Sequence, residues 1–392
     1  MPNNSRRILT THVGSLARPQ PFIDMMRRKE RGEAVSDAEY TKTLEAAIAE
    51  VVRLQREAGI DIVSDGELAK QITWSRYVLF RMTGFERRPV AASGMPMSVT
   101  GKDRRDFADF YRDYDAGVPT AGMRGWVVNG PISYKPAAIR EDVRMFKAAL
   151  ASVRARRAFM CAVSPASVAP DRKDEHYTNA DDALAAIAGA LREEYRAIVD
   201  AGITLQVDDS YFATMYEVLV PPGTLRDYRK WASHMVEVIN HALEGIPEEK
   251  VRFHVCWGSW NGPHSADVPL AKMVDLVLKV RARAYLIEMA NPRHEHEWQV
   301  WRTVKLPAGK ILVPGTISHA TNIVEHPELV AERVVRLAKL VGRNNIMAGT
   351  DCGFAQQGPF LARVHPSIQW AKLRALVAGA RLATKQLWPR AK

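Results

Sequence analysis

Thr204-Leu205-Gln206-Val207-Asp208-Asp209 follows an amphipathic stretch at 181–201. A helical period running into a short β-branched strand that ends on carboxylates is the signature of a β/α unit. The same alternation repeats on both sides. Upstream stand Ile8-Leu9-Thr10-Thr11-His12-Val13-Gly14-Ser15, then Ile60-Asp61-Ile62-Val63-Ser64 leading into Asp65-Gly66-Glu67, and a strand at 157–163. Ser36 with Glu39 three residues on is a capping-box signal. It opens a helix whose apolar stripe is Leu44, Ile48, Val51, Val52 and Leu54 and which ends at Ala58-Gly59. Downstream, strands are predicted at 251–256, 285–288, 310–314 and 345–349, separated by helices around 226–243, 268–282, 327–341 and 368–386.

No Gly-x-Gly-x-x-Gly follows a strand, and there is no Walker loop or short repeat. A doubly wound nucleotide-binding sheet therefore loses ground to a closed barrel. The predicted fold is an α/β (β/α)8 TIM barrel, with residues 1–392 as a single domain. Near 85–135 the pattern breaks into mixed Pro, Gly, charged and aromatic residues, with at most a short strand at Val127-Val128-Asn129-Gly130. This stretch is read as an insertion or hairpin partly covering the barrel mouth.

The 392 residues carry a net charge of +11, but the basic residues are spread along helices without a nucleic-acid-binding module. No specific nucleic-acid partner is expected; a small anionic substrate steered to a positive cleft is the sharper reading. Three scattered cysteines make no disulfide framework, the start Met1-Pro2-Asn3-Asn4-Ser5-Arg6-Arg7 has no apolar signal region, and no stretch is long enough to span a bilayer. A cytoplasmic protein without a membrane partner is expected, with homo-oligomerisation left open.

The polar residues fall where predicted strands end: Ser15, Glu67, Asp208, His254, Cys256, Glu288, His319 and Cys352. Barrel enzymes build their sites there. One imidazole, one carboxylate and two thiols among them, His254, Glu288, Cys256 and Cys352, make a four-ligand zinc set gathered by the fold rather than by a local finger. His254 and Cys256, two apart on a strand, point the same way. A lone buried Cys is usually a small core hydrophobe and a lone His a satisfied polar residue. Here Cys256 and Cys352 are flanked by Gly, Asp and Trp, whereas Cys161, in Phe159-Met160-Cys161-Ala162-Val163, reads as plain strand core. Glu67 and Asp208, each after a strand, could clamp a cationic amine; for Glu67 the alternative is a helix N-terminal carboxylate. His264, His294 and His296 are read as a polar loop bordering the site rather than a further metal site.

Thr11-His12-Val13-Gly14-Ser15, Asp65-Gly66-Glu67, Gln206-Val207-Asp208-Asp209, His254-Val255-Cys256, Ile287-Glu288 and Asp351-Cys352-Gly353 together resemble the catalytic half of cobalamin-independent methionine synthase. The resemblance covers most of the chain outside 85–135. It implies zinc on His254, Cys256, Glu288 and Cys352, binding the substrate thiol as thiolate. It also implies that Ser15, Glu67 and Asp208 hold the amino and carboxylate groups of homocysteine, with Asp209 the competing choice for Asp208, and that a later strand-end His, assigned to His319, moves a proton. Two departures leave the alkyl donor open. There is no room for the second, N-terminal barrel that helps bind the folate tail, and Ser164-Pro165-Ala166-Ser167-Val168 lacks the Trp of the family's folate platform. The stretches from Val255 to Trp260 and from Ala290 to Trp298 look like the short single-barrel subgroup that includes epoxyalkane:coenzyme M transferases.

The expected activity is zinc-dependent alkyl transfer to a thiol, most simply methyl transfer to homocysteine or a similar small thiol in methionine biosynthesis. The partners are that thiol and a folate, corrinoid, epoxide or other donor. Ring-opening alkylation of coenzyme M is the alternative. A zinc-free barrel lyase or decarboxylase related to uroporphyrinogen decarboxylase, and a noncatalytic zinc-binding or scaffold protein, complete the field; metal content and thiol-dependent turnover separate them.

Overall fold

The computed structural model describes residues 6–70, 73–89, 101–116, 124–155, 157–169, 172–355 and 363–389. Nine strands are present among them: β1 (Phe85–Pro89), β2 (Arg124–Val128), β3 (Phe159–Val163), β4 (Arg172–Asp174), β5 (Thr204–Asp209), β6 (Val251–Val255), β7 (Ala284–Ile287), β8 (Ile311–Ile317) and β9 (Gly349–Thr350). Six of these form a parallel sheet in the order β3-β5-β6-β7-β8-β9. Two further segments close it. Thr10 bridges Ala348 in parallel on one side, the amides of Asp61 and Ile62 bond Thr10 O on the other, and Val63 bridges Ala158 beside β3. The ring of eight parallel segments is the expected barrel.

Strand parity sorts the side chains. On β6, Phe253 and Val255 pack outward into the main core with the helices, while Cys256 joins a separate cluster with Leu9, Phe159, Leu286 and Val313 inside the barrel. On β5, Leu205 and Val207 face outward, which turns Gln206 and Asp208 inward. Arg252, also inward, plugs the lower interior: its guanidinium donates to Thr11 Oγ1 and His12 O at 2.9 Å and lies 4.0 Å over the Phe159 ring.

The helix Asp37–Ala58 starts as predicted, with Ser36 Oγ accepting from the Glu39 amide at 3.1 Å, and ends at Gly59 in the left-handed region. The box is only half closed, because the Glu39 carboxylate is taken by Arg28 at 2.6 Å. Ala180–Asp200, Leu225–Ala242, Pro327–Val341 and Pro366–Leu387 lie close to expectation. The predicted helix at 268–282 does not form. It is a turn at Leu270–Lys272 and a four-residue helix, Val274–Val277. Trp257 Nε1 donates to Val268 O at 2.8 Å, and the Lys272 amide, which would bond that carbonyl in a helix, turns to Pro269 O at 2.9 Å.

The insertion is a small sheet, β1 antiparallel to β2 and β2 parallel to β4, with two helices the sequence did not reveal, Lys102–Asp106 and Ala108–Ala116. These helices reach the mouth. Tyr111 OH accepts from Trp260 Nε1 at 2.9 Å, and Asp103 accepts from the Ser265 amide and hydroxyl at 3.0 and 2.6 Å. Among the described residues no helix is long and apolar enough to cross a membrane.

Candidate active site

The C-terminal ends of the barrel strands converge on one cavity, about 410 Å³ including its open part. It is lined by Val13, Ser15, Glu67, Trp74, Asp208, Asp209, Ser210, His254, Cys256, Gly258, Ser259 and Cys352. Ladder geometry places the donors of β6: Val255 pairs with Asp209 and packs its side chain outward, while the Cys256 amide continues the β5 pairing by donating to Asp209 O at 3.1 Å. Cys352 arrives from the loop after β9. Its sulfur lies 3.4 Å from His254 Nε2 and 3.4 Å from the Cys256 sulfur.

Those three buried donors form one compact group. The expected fourth, Glu288, stands beside them and groups instead with His319 and Asp351. Its carboxylate accepts from Arg293 Nη2 at 2.9 Å, Asn291 Nδ2 at 2.8 Å and, more weakly, the Trp257 amide at 3.3 Å. Asn291 also donates to Asp351 at 2.9 Å, and the other Asp351 oxygen accepts from the Met289 and Ala290 amides, both at 2.8 Å. Gly315 lies against that carboxylate, where a Cβ would collide with it.

The donor set fits a thiophilic cation. A tetrahedral ion with Zn–S bonds of about 2.3 Å sets its sulfurs roughly 3.8 Å apart, so the sulfurs need open by only a few tenths of an ångström. His254 Nδ1 is buried without a partner among the described residues, as are both ring nitrogens of His319.

Residues 8–169 and 126–367 match the model of the cobalamin-independent synthase catalytic domain. The chain belongs to that family. Among its relatives, 2-hydroxypropyl-CoM lyase of Xanthobacter autotrophicus is 24% identical over 97% of this chain and 96% of its own length. A methionine synthase of Sulfolobus acidocaldarius is 24% identical over 69% of this chain and 68% of its own. The B12-independent methionine synthase of Shewanella sp. W3-18-1, solved with selenomethionine, superposes with a TM-score of 0.70 at 19% identity, covering 97% of this chain and 99% of that one. A second structure, from Listeria monocytogenes, gives 0.66 at 20% identity, covering 98% and 100%. Both share the barrel.

The electrostatics of the site follow from burial and close pairing. Burial alone would lower His254 and raise Cys352. The contact between them wins: His254 is raised to about 9 by the Cys352 sulfur, and Cys352, helped by Cys256 and His254, falls well below an ordinary thiol. Cys256, beside that thiolate and desolvated, is pushed well up. Glu288 is held down to about 2 against its burial, chiefly by Arg293. Burial lowers His319 and keeps its ring neutral.

On the opposite wall, Asp208 accepts from Gln206 Nε2 at 2.7 Å and is pushed up to about 7 by burial and then by Glu67. Asp209, the competing choice, is committed elsewhere: it accepts from the Ser164 and Ser167 hydroxyls at 2.6 and 2.7 Å and the Phe212 amide at 2.9 Å. Cys161 is strand core as read, in the inner cluster with Phe159 and Leu286, but it also has polar company. It lies with Glu67 and Asp208, and its thiol donates to Val13 O at 3.2 Å.

Sequence reasoning missed Lys70, whose ammonium donates to Glu67 at 2.9 Å, both side chains being buried. The signal was present in the i,i+3 spacing after Asp65-Gly66-Glu67. It also missed Arg293 and Asn291, which donate to Glu288. His264 and His294 border the site as expected, sharing Asp267 at 3.1 Å each, while His296 is exposed.

Proposed function

We propose that this protein is a zinc-dependent thiol S-alkyltransferase, a methyltransferase of the methionine-synthase type acting on homocysteine or a similar small thiol. One observation carries the reading: His254, Cys256 and Cys352 share a single cavity with Ser15, Glu67 and Asp208. Zinc, when bound by the first three and Glu288, would hold the acceptor as thiolate, a form scarce in free thiols of pKa about 8.5. The chain's own residues do the rest.

Glu67 and Asp208 take the acceptor's ammonium and fix its sulfur near the donor cluster, which converts binding into orientation. Lys70 holds the buried Glu67 carboxylate in place at 2.9 Å, and Ser15 closes the rim. The neutral ring of His319, without a hydrogen-bond partner among the described residues, can accept a proton beside Glu288 and Asp351. The donor's way in is an outer space lined by Tyr111, Arg104 and Trp260, which shares Trp74, Ser210, Gly258 and Ser259 with the thiol cavity.

Ring-opening alkylation of coenzyme M remains the second reading, favoured by the end-to-end similarity to the Xanthobacter lyase. A zinc-free lyase or an inert scaffold would leave the sulfur-rich cluster and the acidic wall without a purpose. The test supplies the zinc form with homocysteine or coenzyme M and, in turn, methyl folate, methyl cobalamin, S-methyl compounds and epoxides. The thioether is identified by mass spectrometry. Absence of any thioether across this matrix would overturn the transferase reading.

A further inference from the structure

Glu288 is fully buried, yet its carboxylate is not free to give its charge to a cation. One oxygen is saturated: Oε2 accepts from Arg293 Nη2 at 2.9 Å and from Asn291 Nδ2 at 2.8 Å. Among the described residues the other, Oε1, has a single long partner, the Trp257 amide at 3.3 Å. Arg293 is itself braced. Its second nitrogen reaches Asp267 Oδ2 at 3.4 Å and Gly258 O at 3.5 Å, and Asp267 is pinned by His264 and His294 at 3.1 Å each. The arginine is thus fixed to the loop following Cys256, independently of what Glu288 does.

We infer that Arg293 is a positioning residue that makes Glu288 a displaceable metal ligand; the inference rests on the zinc reading above. Two physical effects act in the same direction. A carboxylate that shares its charge with a guanidinium is a weaker donor to a cation than a bare one. When it lets go, it also avoids becoming an unpaired buried charge, since the arginine already holds it. Both lower the cost of clearing a coordination position for the acceptor sulfur. His254, Cys256 and Cys352, which form one compact buried group, serve as the permanent set.

The test compares wild type, Arg293→Gln, Glu288→Gln and the double variant, all zinc-loaded, at mildly alkaline pH so that the freed carboxylate is ionised. X-ray absorption follows replacement of an oxygen neighbour by sulfur as homocysteine or coenzyme M is added, and chelator competition measures how tightly zinc is held. Arg293→Gln is expected to hold zinc at least as tightly as wild type and to need about ten-fold more thiol for the replacement, the worth of one charge-assisted hydrogen bond. In the Glu288→Gln background the same change should have no effect on the thiol requirement.

A strut that merely supports the fold would behave differently, loosening zinc in both backgrounds, and that result overturns the inference. So does an unchanged thiol requirement in Arg293→Gln, which would leave the zinc reading standing. Wild-type protein that takes up no zinc removes the zinc reading and this inference with it. Arg293→Lys, which keeps the charge but loses the forked geometry, should fall between wild type and Arg293→Gln.

Discussion

Replacing Glu67 with Gln is expected to weaken acceptor binding while leaving zinc in place, because the residue lies on the wall opposite the donor cluster. The perturbation removes one charge from a buried triangle of Glu67, Lys70 and Asp208. Lys70 Nζ is 2.9 Å from Glu67, with side chains only 9% and 7% exposed, so the pair is little screened. Stripping a buried ion of its sole partner costs about 3–5 kcal/mol. Here Gln keeps an acceptor oxygen for the ammonium and Asp208 supplies a counter-charge, so a loss of about 2 kcal/mol is expected, near the value of one hydrogen bond to a charged group. For a chain of this size that is a melting decrease of roughly 2–3 °C.

The same substitution changes Asp208. Its elevation to about 7 comes from burial first and Glu67 second, so loss of the Glu67 charge lets it ionise at lower pH. An amine-bearing thiol should still find one carboxylate, and its affinity should fall about 10- to 100-fold rather than vanish. Isothermal titration with homocysteine, metal analysis and a thermal melt on the same preparation read the three effects separately. Zinc lost with thiol affinity unchanged would refute the assignment and move Glu67 into the metal site.

Cys256→Ser and Cys352→Ser should each lose stoichiometric zinc, measured after dialysis against a mild chelator; either variant at full occupancy contradicts the ligand set. Because the metal-free site holds protons on His254 and Cys256 but not on Cys352, zinc uptake near neutral pH should release about two protons, read by calorimetry in buffers of different ionisation enthalpy. Asp65, raised to about 7 by burial, carries a stabilising contribution that is complete below its ordinary carboxylate value and lost as pH climbs to about 7. Asp65→Asn should therefore match wild type in melting temperature near pH 4 and exceed it near pH 8; an equal difference at both would show that the carboxylate's ionisation is irrelevant. Gly14 has φ +142°, and a Cβ there would press on the Cys161 sulfur and lie 2.6 Å from Glu67 Oε1, so Gly14→Ala should raise the acceptor KM more than it lowers zinc content.

What the sequence made legible is what period and parity control. Apolar runs at strand spacing located the barrel, and the two-residue period on β6 put His254 and Cys256 on the inner face. Positions at strand ends then collected Ser15, Glu67, Asp208, Glu288, His319 and Cys352 at one mouth. The misses share a different physics. The helix expected at 268–282 had the right apolar period, but the Trp257 indole took the Val268 carbonyl and the Lys272 amide turned to Pro269 O instead. Cys161 looked like core because its neighbours are apolar; only the closure of the ring, which sets β3 beside the Glu67 and Asp208 wall, gives it polar company. Lys70 and Arg293 carry ordinary-looking charges in polar loops, and their importance comes from the buried carboxylates three and five residues before them, Glu67 and Glu288. A one-dimensional pattern can state that a carboxylate such as Glu288 sits at a strand end. Whether it is a strong ligand or a labile one depends on which cation the fold folds back onto it, and that is decided by the loop after β7 meeting the loop after β6.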